Sequence, residues 1–175
     1  MVKDPANDTA NGAAESARAV AETVTDPELP QLTLADLGVL REVAEDGGRV
    51  TVSITPTYSG CPALDAMHDD LVARLNSAGY DDVEVRIVLH PAWSTDDITE
   101  AGRRKLAAAG IAPPGPAPRR GSGPVPLTLG PTRRARCPRC GSPDTREQSP
   151  FGSTACKALR RCDACGEPFE HLKEI

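Results

Sequence analysis

The sequence predicts an α+β fold in two parts. The first is a small mixed sheet with helices, made of a β-hairpin followed by a βαβ crossover. The second is a short cysteine-bearing unit at the carboxyl end. Three observations predict this. Apolar residues alternate with a period of two over two neighbouring stretches, change to helical spacing, and then return to alternation. A proline-rich stretch interrupts all pattern after residue 110. Beyond it stand two CxxC pairs.

Residues 1–11, MVKDPANDTAN, are small and polar with nothing to bury, so they read as a disordered tail. Gly12 to Val24 has alanine-rich helical composition, with Val20 and Val24 four apart. VLREVAE and RVTVSIT follow as two strands, joined at Asp46, Gly47 and Gly48, residues that supply the positive φ a tight hairpin needs. Leu64, Met67, His68, Leu71, Val72 and Leu75 then fall at helical spacing until Gly79. Val83, Val85, Ile87 and Leu89 alternate again. Strand, helix and strand at these lengths form a right-handed crossover, which makes its two strands parallel. A last helix is expected from about Ser94 to Ala109, with Ser94 or Thr95 as cap and Asp96 and Asp97 in its first turn. Residues 12–110 therefore form the α/β domain, residues 111–130 a proline-rich linker, and residues 131–175 a separate small unit.

Composition limits the functions available. The chain has 175 residues, of which only five are aromatic (one Trp, two Tyr, two Phe), so its core must be aliphatic. No run approaches the ~18 apolar residues of a membrane span, and Met1 to Val24 lacks the basic start and apolar run of a secretory signal. A cytosolic location is expected, where six cysteines are read as metal ligands or reactive thiols rather than disulfides. The net charge of −5 hides two unlike halves: residues 1–110 carry 19 acidic and 9 basic side chains, residues 111–175 carry 6 and 11.

The pairs Cys137/Cys140 and Cys162/Cys165 have the spacing of a zinc ribbon. Two intervening residues let both sulfurs of a pair converge on one ion, and the following Gly141 and Gly166 can take a left-handed turn that aims backbone amides at sulfur. So short a unit has little apolar material, so metal binding must supply much of its folding free energy. Cys156 is either a spare thiol or an extra ligand for a softer iron-sulfur centre. Arg133, Arg134, Arg136, Arg139, Arg160 and Arg161 either offset the charge of four thiolates or form a docking face for an acidic protein or nucleic acid.

Cys61 stands where a strand ends and a helix begins, with Pro62 suited to the first helical position. Unpaired amides and the helix dipole at such a junction favour a thiolate, and the same geometry suits a metal ligand. A small buried cysteine is the plain alternative. In TDPELP, Asp26 and Glu28 stand beside two prolines that hold the backbone extended, a costly place for two carboxylates unless they cap something or serve a site. HPAWSTDDIT follows the next parallel strand and should emerge at the same sheet edge as Cys61. Trp93 is read as core filler, Asp96 and Asp97 as helix caps, and His68 as a satisfied core histidine; His90 and His171 have no motif around them.

The stretches DPELPQLTLADLGVLREV, TPTYSGCPA, PAWSTDDIT, CPRCG and FGSTACKALRRCDACGEPF resemble the PaaD proteins of bacterial phenylacetate degradation, over nearly all of Val24 to Ile175. The first part also resembles the wider domain family containing SufT and the eukaryotic cytosolic iron-sulfur assembly factor. The resemblance implies an accessory subunit of the ring 1,2-phenylacetyl-CoA epoxidase that helps an iron-sulfur or di-iron centre into the reductase or oxygenase subunit. It places the reactive cysteine of the wider domain on Cys61, where iron or a cluster would be held transiently, and its acidic motif on Asp26 and Glu28. The longer linker and polar amino-terminal extension depart from the family pattern.

The residues themselves carry no nucleophile with a base at motif spacing, no glycine-rich phosphate loop and no histidine-carboxylate set for di-iron chemistry, so an independent epoxidase is not expected. Two other classes remain. A nucleic-acid module is allowed by the basic tail and opposed by the acidic main domain and scarce aromatics. A thiol redox enzyme using Cys61 has no cysteine nearby in sequence to resolve it. No membrane partner is expected, and a homodimer is left open.

Overall fold

A computed structural model describes residues 17–58, 60–117 and 135–174 of the chain. Contacts divide it between Trp93 and Ser94 into two compact units. The tail expected at residues 1–11, the larger part of the expected linker, and Arg133 and Arg134 lie outside the described residues.

In the first unit, helical residues 17–21 belong to the helix expected at Gly12 to Val24, with Ala17 and Ala21 buried. The helix stops short of Val24 because the chain there turns back on itself: Thr25 bridges Thr33, and the Leu34 amide donates to Val24 O at 2.9 Å. Strands β1 (Leu40–Asp46) and β2 (Arg49–Ile54) form the expected antiparallel hairpin. Gly47 and Gly48 take φ of 57° and 88°, the primed-turn geometry that a residue with a Cβ resists. A register shift between Leu40 and Glu42 puts a bulge in β1.

The crossover is carried by helix α1 (Leu64–Ser77), and strand β3 (Asp82–Ile87) returns parallel to β2 in the order β1-β2-β3. Val50, Val52 and Ile54 are fully buried, while Thr51 and Ser53 on the opposite face are half-exposed. Met67, Leu71 and Leu75 are the buried stripe of α1. Trp93 fills the core as expected, and its indole Nε1 donates to Leu37 O at 2.8 Å, so the one polar atom it buries is satisfied. His68 does not lie in the core: its side chain is half-exposed and its Nδ1 is 3.1 Å from Asp69 Oδ1. Spacing alone put it on the apolar face, but it falls at the edge of that stripe.

In the second unit, the single helix expected from Ser94 to Ala109 is two pieces. Ser94 caps a 3-10 turn (Thr95–Asp97) in a reciprocal box with Asp97, Ile98 is extended, and Thr99 caps helix α2 (Glu100–Ala108) by accepting from Gly102 N at 3.0 Å. Asp97 is thus a cap, as read from sequence; Asp96 Oδ1 accepts from Ala117 N.

The ribbon sheet has the order β4-β7-β6-β5, from β4 (Ile111–Ala112), β5 (Thr145–Ser149), β6 (Lys157–Cys162) and β7 (Pro168–Leu172). β5, β6 and β7 pair antiparallel, and β4 lies parallel to β7 with Ile111 opposite Glu170. Sequence composition started the linker at residue 111. Ile111 and Ala112 instead belong to the ribbon sheet, and Ala112 joins Ala135, Cys137, Cys162 and Phe169 in its core. The following residues are tied down as well. Arg103 donates to Pro114 O and Thr95 O, both at 2.6 Å, and Gly115 N donates to Glu174. Two apolar residues before a proline run suffice for an edge pairing, because the prolines come after the last amide it needs.

No helix among the described residues is long and apolar enough to cross a membrane. Leu71 is fully buried at the centre of the α1 stripe. Leu71→Ala is expected to cost about 2–5 kcal/mol, read as an earlier unfolding midpoint in urea.

Candidate functional site

The four ribbon thiols are built by two near-identical turns. Gly141 N donates to Cys137 O at 2.8 Å and Gly166 N to Cys162 O at 2.9 Å. Cys137 N donates to Ser142 O and Cys162 N to Glu167 O. Each glycine has the positive φ expected of it, 74° and 77°. The two turns bring all four sulfurs within 4.8 Å of one another.

Cys137 Sγ is 3.8 Å from Cys165 Sγ, and Cys140 Sγ is 3.6 Å from Cys162 Sγ. A tetrahedron of sulfurs each about 2.3 Å from zinc has edges of about 3.8 Å, whereas a disulfide needs about 2.05 Å. The donor set therefore fits zinc, which would be held by Cys137, Cys140, Cys162 and Cys165.

The Cys140 and Cys162 thiols do not ionise together. Burial opposes ionisation of Cys162, but the backbone amides of Cys165 and Ala164 and the neighbouring sulfurs draw it down to about 7. The Ser142 amide favours the Cys140 thiolate, yet the sulfurs of Cys165, Cys162 and Cys137, with desolvation, push it up to about 12. A bound cation relieves this crowding, so metal binding displaces protons.

Cys156 is not part of this group. It is buried, with its Sγ 3.1 Å from Thr154 Oγ1, and the four gathered sulfurs do not include it. Of the arginines singled out from sequence, Arg139 and Arg160 have acidic partners, whereas Arg136 and Arg161 are exposed with no acidic partner among the described residues. Arg139 pairs with Glu167, Arg146 with Asp163 at 2.8 Å, and Arg160, itself buried, with Glu147 at 3.6 Å. Arg139 is held charged by Glu167 first and then by the sulfurs of Cys165 and Cys137. Charge compensation of the thiolate centre thus accounts for Arg139, while Arg136 and Arg161 remain exposed positive charge beside it. An open cleft of about 250 Å³ beside the turns is lined by Ala107, Ala108, Gly110, Pro138, Arg139, Glu167, Pro168 and Phe169.

Cys61, in the first unit, is half-exposed. It lies in a turn after β2, its amide donating to Tyr58 O at 3.2 Å and its carbonyl accepting from Leu64 N at 3.4 Å. The helix starts later than expected: Ala63 is its N-cap, without a side-chain cap, so Pro62 lies outside α1 and Cys61 two residues before the cap. Because β2 and β3 are parallel, the Cys61 turn and the segment after β3 leave the sheet at the same edge, as expected.

The Asp26 loop reaches that edge through hydrogen bonds. Val39 N donates to Leu34 O at 2.8 Å, and Thr55 N donates to Val39 O at 2.9 Å. Asp26 is buried, and its Oδ1 accepts from Glu28 N and Leu29 N, both at 2.8 Å. Its carboxylate holds the loop shape, the first of the two uses weighed from sequence, while Glu28 is half-buried. Sequence reading passed over two residues nearby. Asp36, also buried, exchanges hydrogen bonds with Thr33, which the TxxD spacing could have shown. Thr55, at the end of β2, buries a hydroxyl that has no partner among the described residues.

A small sheet with a half-exposed cysteine beyond its parallel strand end, followed by a four-thiol ribbon, is the architecture of an iron-sulfur assembly domain joined to a zinc ribbon. Residues 15–87 match the family described as iron-sulfur cluster assembly protein, and residues 121–173 match the PaaD zinc beta ribbon domain. The chain is 42% identical over 157 residues, 90% of each chain, to a protein of Escherichia coli (strain K12) provisionally named as one of the subunits of 1,2-phenylacetyl-CoA epoxidase. The chain belongs to the PaaD family. It is also 34% identical over 86 residues, 48% of this chain and 81% of the other, to the Fe-S protein maturation auxiliary factor of Porphyromonas gingivalis (strain ATCC BAA-308 / W83). Among solved structures it is similar to a domain of unknown function, DUF59, from Bacillus anthracis, with a TM-score of 0.53 and 25% identity over 57% of this chain and 96% of that one.

The ribbon makes a direct prediction. Purified protein should carry about one zinc per chain, and acidification from about pH 7.5 to about pH 5 should release it as protons reclaim the sulfurs. Elemental analysis with a colorimetric zinc chelator checks this, and Cys162→Ser should lower the retained zinc.

Proposed function

We propose that this protein is a non-catalytic maturation factor of the ring 1,2-phenylacetyl-CoA epoxidase of phenylacetate degradation, acting in the cytoplasm to help an iron-sulfur or di-iron centre into the reductase or oxygenase subunit. The observation that carries this reading is the half-exposed Cys61 at the carboxyl edge of the β2–β3 pair, in a chain 42% identical over 90% of its length to the relative provisionally named as part of that epoxidase. The likeness to a maturation auxiliary factor over about half the chain supports the same role for the first unit.

In this reading iron, alone or as a cluster, is cargo. The Cys61 thiol loses its proton to solvent as its sulfur takes the iron, and the client's own ligands displace it by exchange with no change of oxidation state. A thiolate suits this because it binds soft centres well and remains open to attack by a competing thiolate. One protein sulfur at an exposed turn holds cargo weakly, which delivery requires. Asp26 acts through the backbone, fixing the loop that presents Glu28, and Glu28 supplies a carboxylate beside the cargo. Zinc keeps the ribbon folded, and the ribbon with its cleft meets the client subunit.

The test is Cys61→Ser. The substituted protein should unfold with an unchanged midpoint and keep its ribbon zinc, while epoxidase components produced with it contain less iron and turn over more slowly. Full iron content and full epoxidase activity with the substituted protein would remove Cys61 from the pathway of delivery.

A further inference from the structure

Strand β3 is an outer strand of its sheet, and its free edge is unlike that of the other outer strand. β1 carries a bulge, a common way of turning an edge away from further pairing. β3 pairs without a break from Asp82 to Ile87, and among the described residues no backbone hydrogen bond reaches its outer side.

The direction of its backbone groups follows from one bond. Val88 N donates to Ile54 O at 2.8 Å, so even-numbered positions turn toward β2. Val83, Val85 and Ile87 therefore turn their amides and carbonyls outward. Their side chains lie in register with the buried Val50, Val52 and Ile54, and the apolar face they continue runs out into solvent: Ile87 is 51% exposed and Leu89 62%. Two unmet needs coincide on this strand, unpaired backbone and uncovered apolar surface.

We infer that β3 is the interface for a second copy of this chain, paired antiparallel with itself about a twofold axis at Val85. Charge selects both the partner and the register. An axis at Val85 sets Glu84 opposite Arg86 of the second copy, and Arg86 opposite its Glu84. It also joins Val83 to Ile87 and Val85 to Val85 through the outward backbone groups.

The neighbouring registers that keep those groups paired fail on charge. An axis at Glu84 stacks Glu84 on itself, one at Arg86 stacks Arg86 on itself, and one at Val83 sets Asp82 against Glu84. Within the chain Glu84 already contacts Arg86 at 2.9 Å and Arg49 at 3.5 Å, so each side arrives with its charges positioned. The result is an isologous contact that joins two three-stranded sheets into one continuous sheet and covers Ile87.

Sedimentation equilibrium of the full chain with its zinc tests the arrangement. The protein should be dimeric at ~100 µM, and Glu84→Arg or Arg86→Glu alone should each weaken the dimer about tenfold or more. The paired exchange E84R/R86E should return it to within about threefold of the parent, because the facing charges are again opposite. Both side chains are exposed, so the far-UV spectrum and zinc content report whether every variant is folded. A parent that stays monomeric at that concentration overturns the inference, and so does a dimer indifferent to the single changes or not restored by the exchange.

Discussion

The parallel register of β2 against β3 is the constraint on which the first unit depends. Two strands running the same way cannot be joined by a tight turn, so the chain must leave the sheet after Ile54, cross over it as α1, and re-enter at Asp82. That crossing buries the Met67, Leu71 and Leu75 stripe. It also fixes where the chain can be irregular. The turn holding Cys61 and the segment after β3 open at one edge, and the Asp26 loop reaches that edge through Leu34, Val39 and Thr55. The candidate thiol is thus a property of the topology as much as of the residue. A cysteine at the other end of either strand would stand on the hairpin side, away from the acidic loop.

The second unit is held by a different principle. Its cluster of Ala112, Ala135, Cys137, Cys162 and Phe169 contains a single large apolar side chain, and two of the five are metal ligands. Ile98, Leu106, Ile111 and Leu172 are buried elsewhere in this unit, but around the two turns the four thiols are what is gathered, and they are the only such group of metal-ligating side chains among the described residues. Ion pairs across the outer surface, such as Arg146 with Asp163, add little by themselves but keep the charged residues from opposing the fold. Lys157, buried, and Glu170, half-buried, are a costlier pair. Glu170 resists ionisation through burial, but the Ser153 amide and the Lys157 ammonium together draw its carboxyl below the usual range.

Much of this was legible in the residues, and what escaped did so for physical reasons. Period and turn chemistry sufficed for the hairpin, α1 and β3, because burial of one face enforces a period and Gly47 and Gly48 enforce a turn. The four ligands were readable because spacing and the two following glycines are themselves the coordination geometry. The break between the 3-10 turn and α2 was not, since Ser94 and Thr99 both read as caps and only packing decides that each of them is used. His68 was misplaced because helical spacing gives a face but not its width. The fate of Asp26 could not be read either: a buried carboxylate that caps its own loop and one that faces a ligand have the same sequence. Ile111 and Ala112 were lost in the shadow of the prolines after them.

Those two residues matter when the chain is divided. The proline-rich stretch invites a cut near residue 130, but β4 lies on the far side of it, flanking β7 and lending Ala112 to the cluster that backs Cys137 and Cys162. A fragment beginning at residue 131 would keep every ligand and lose part of the wall against which the ligands are packed, leaving the β7 edge bare. Residues 111–117 therefore belong with the ribbon and not to a spacer ahead of it, and the seam of the molecule lies upstream, just after Trp93.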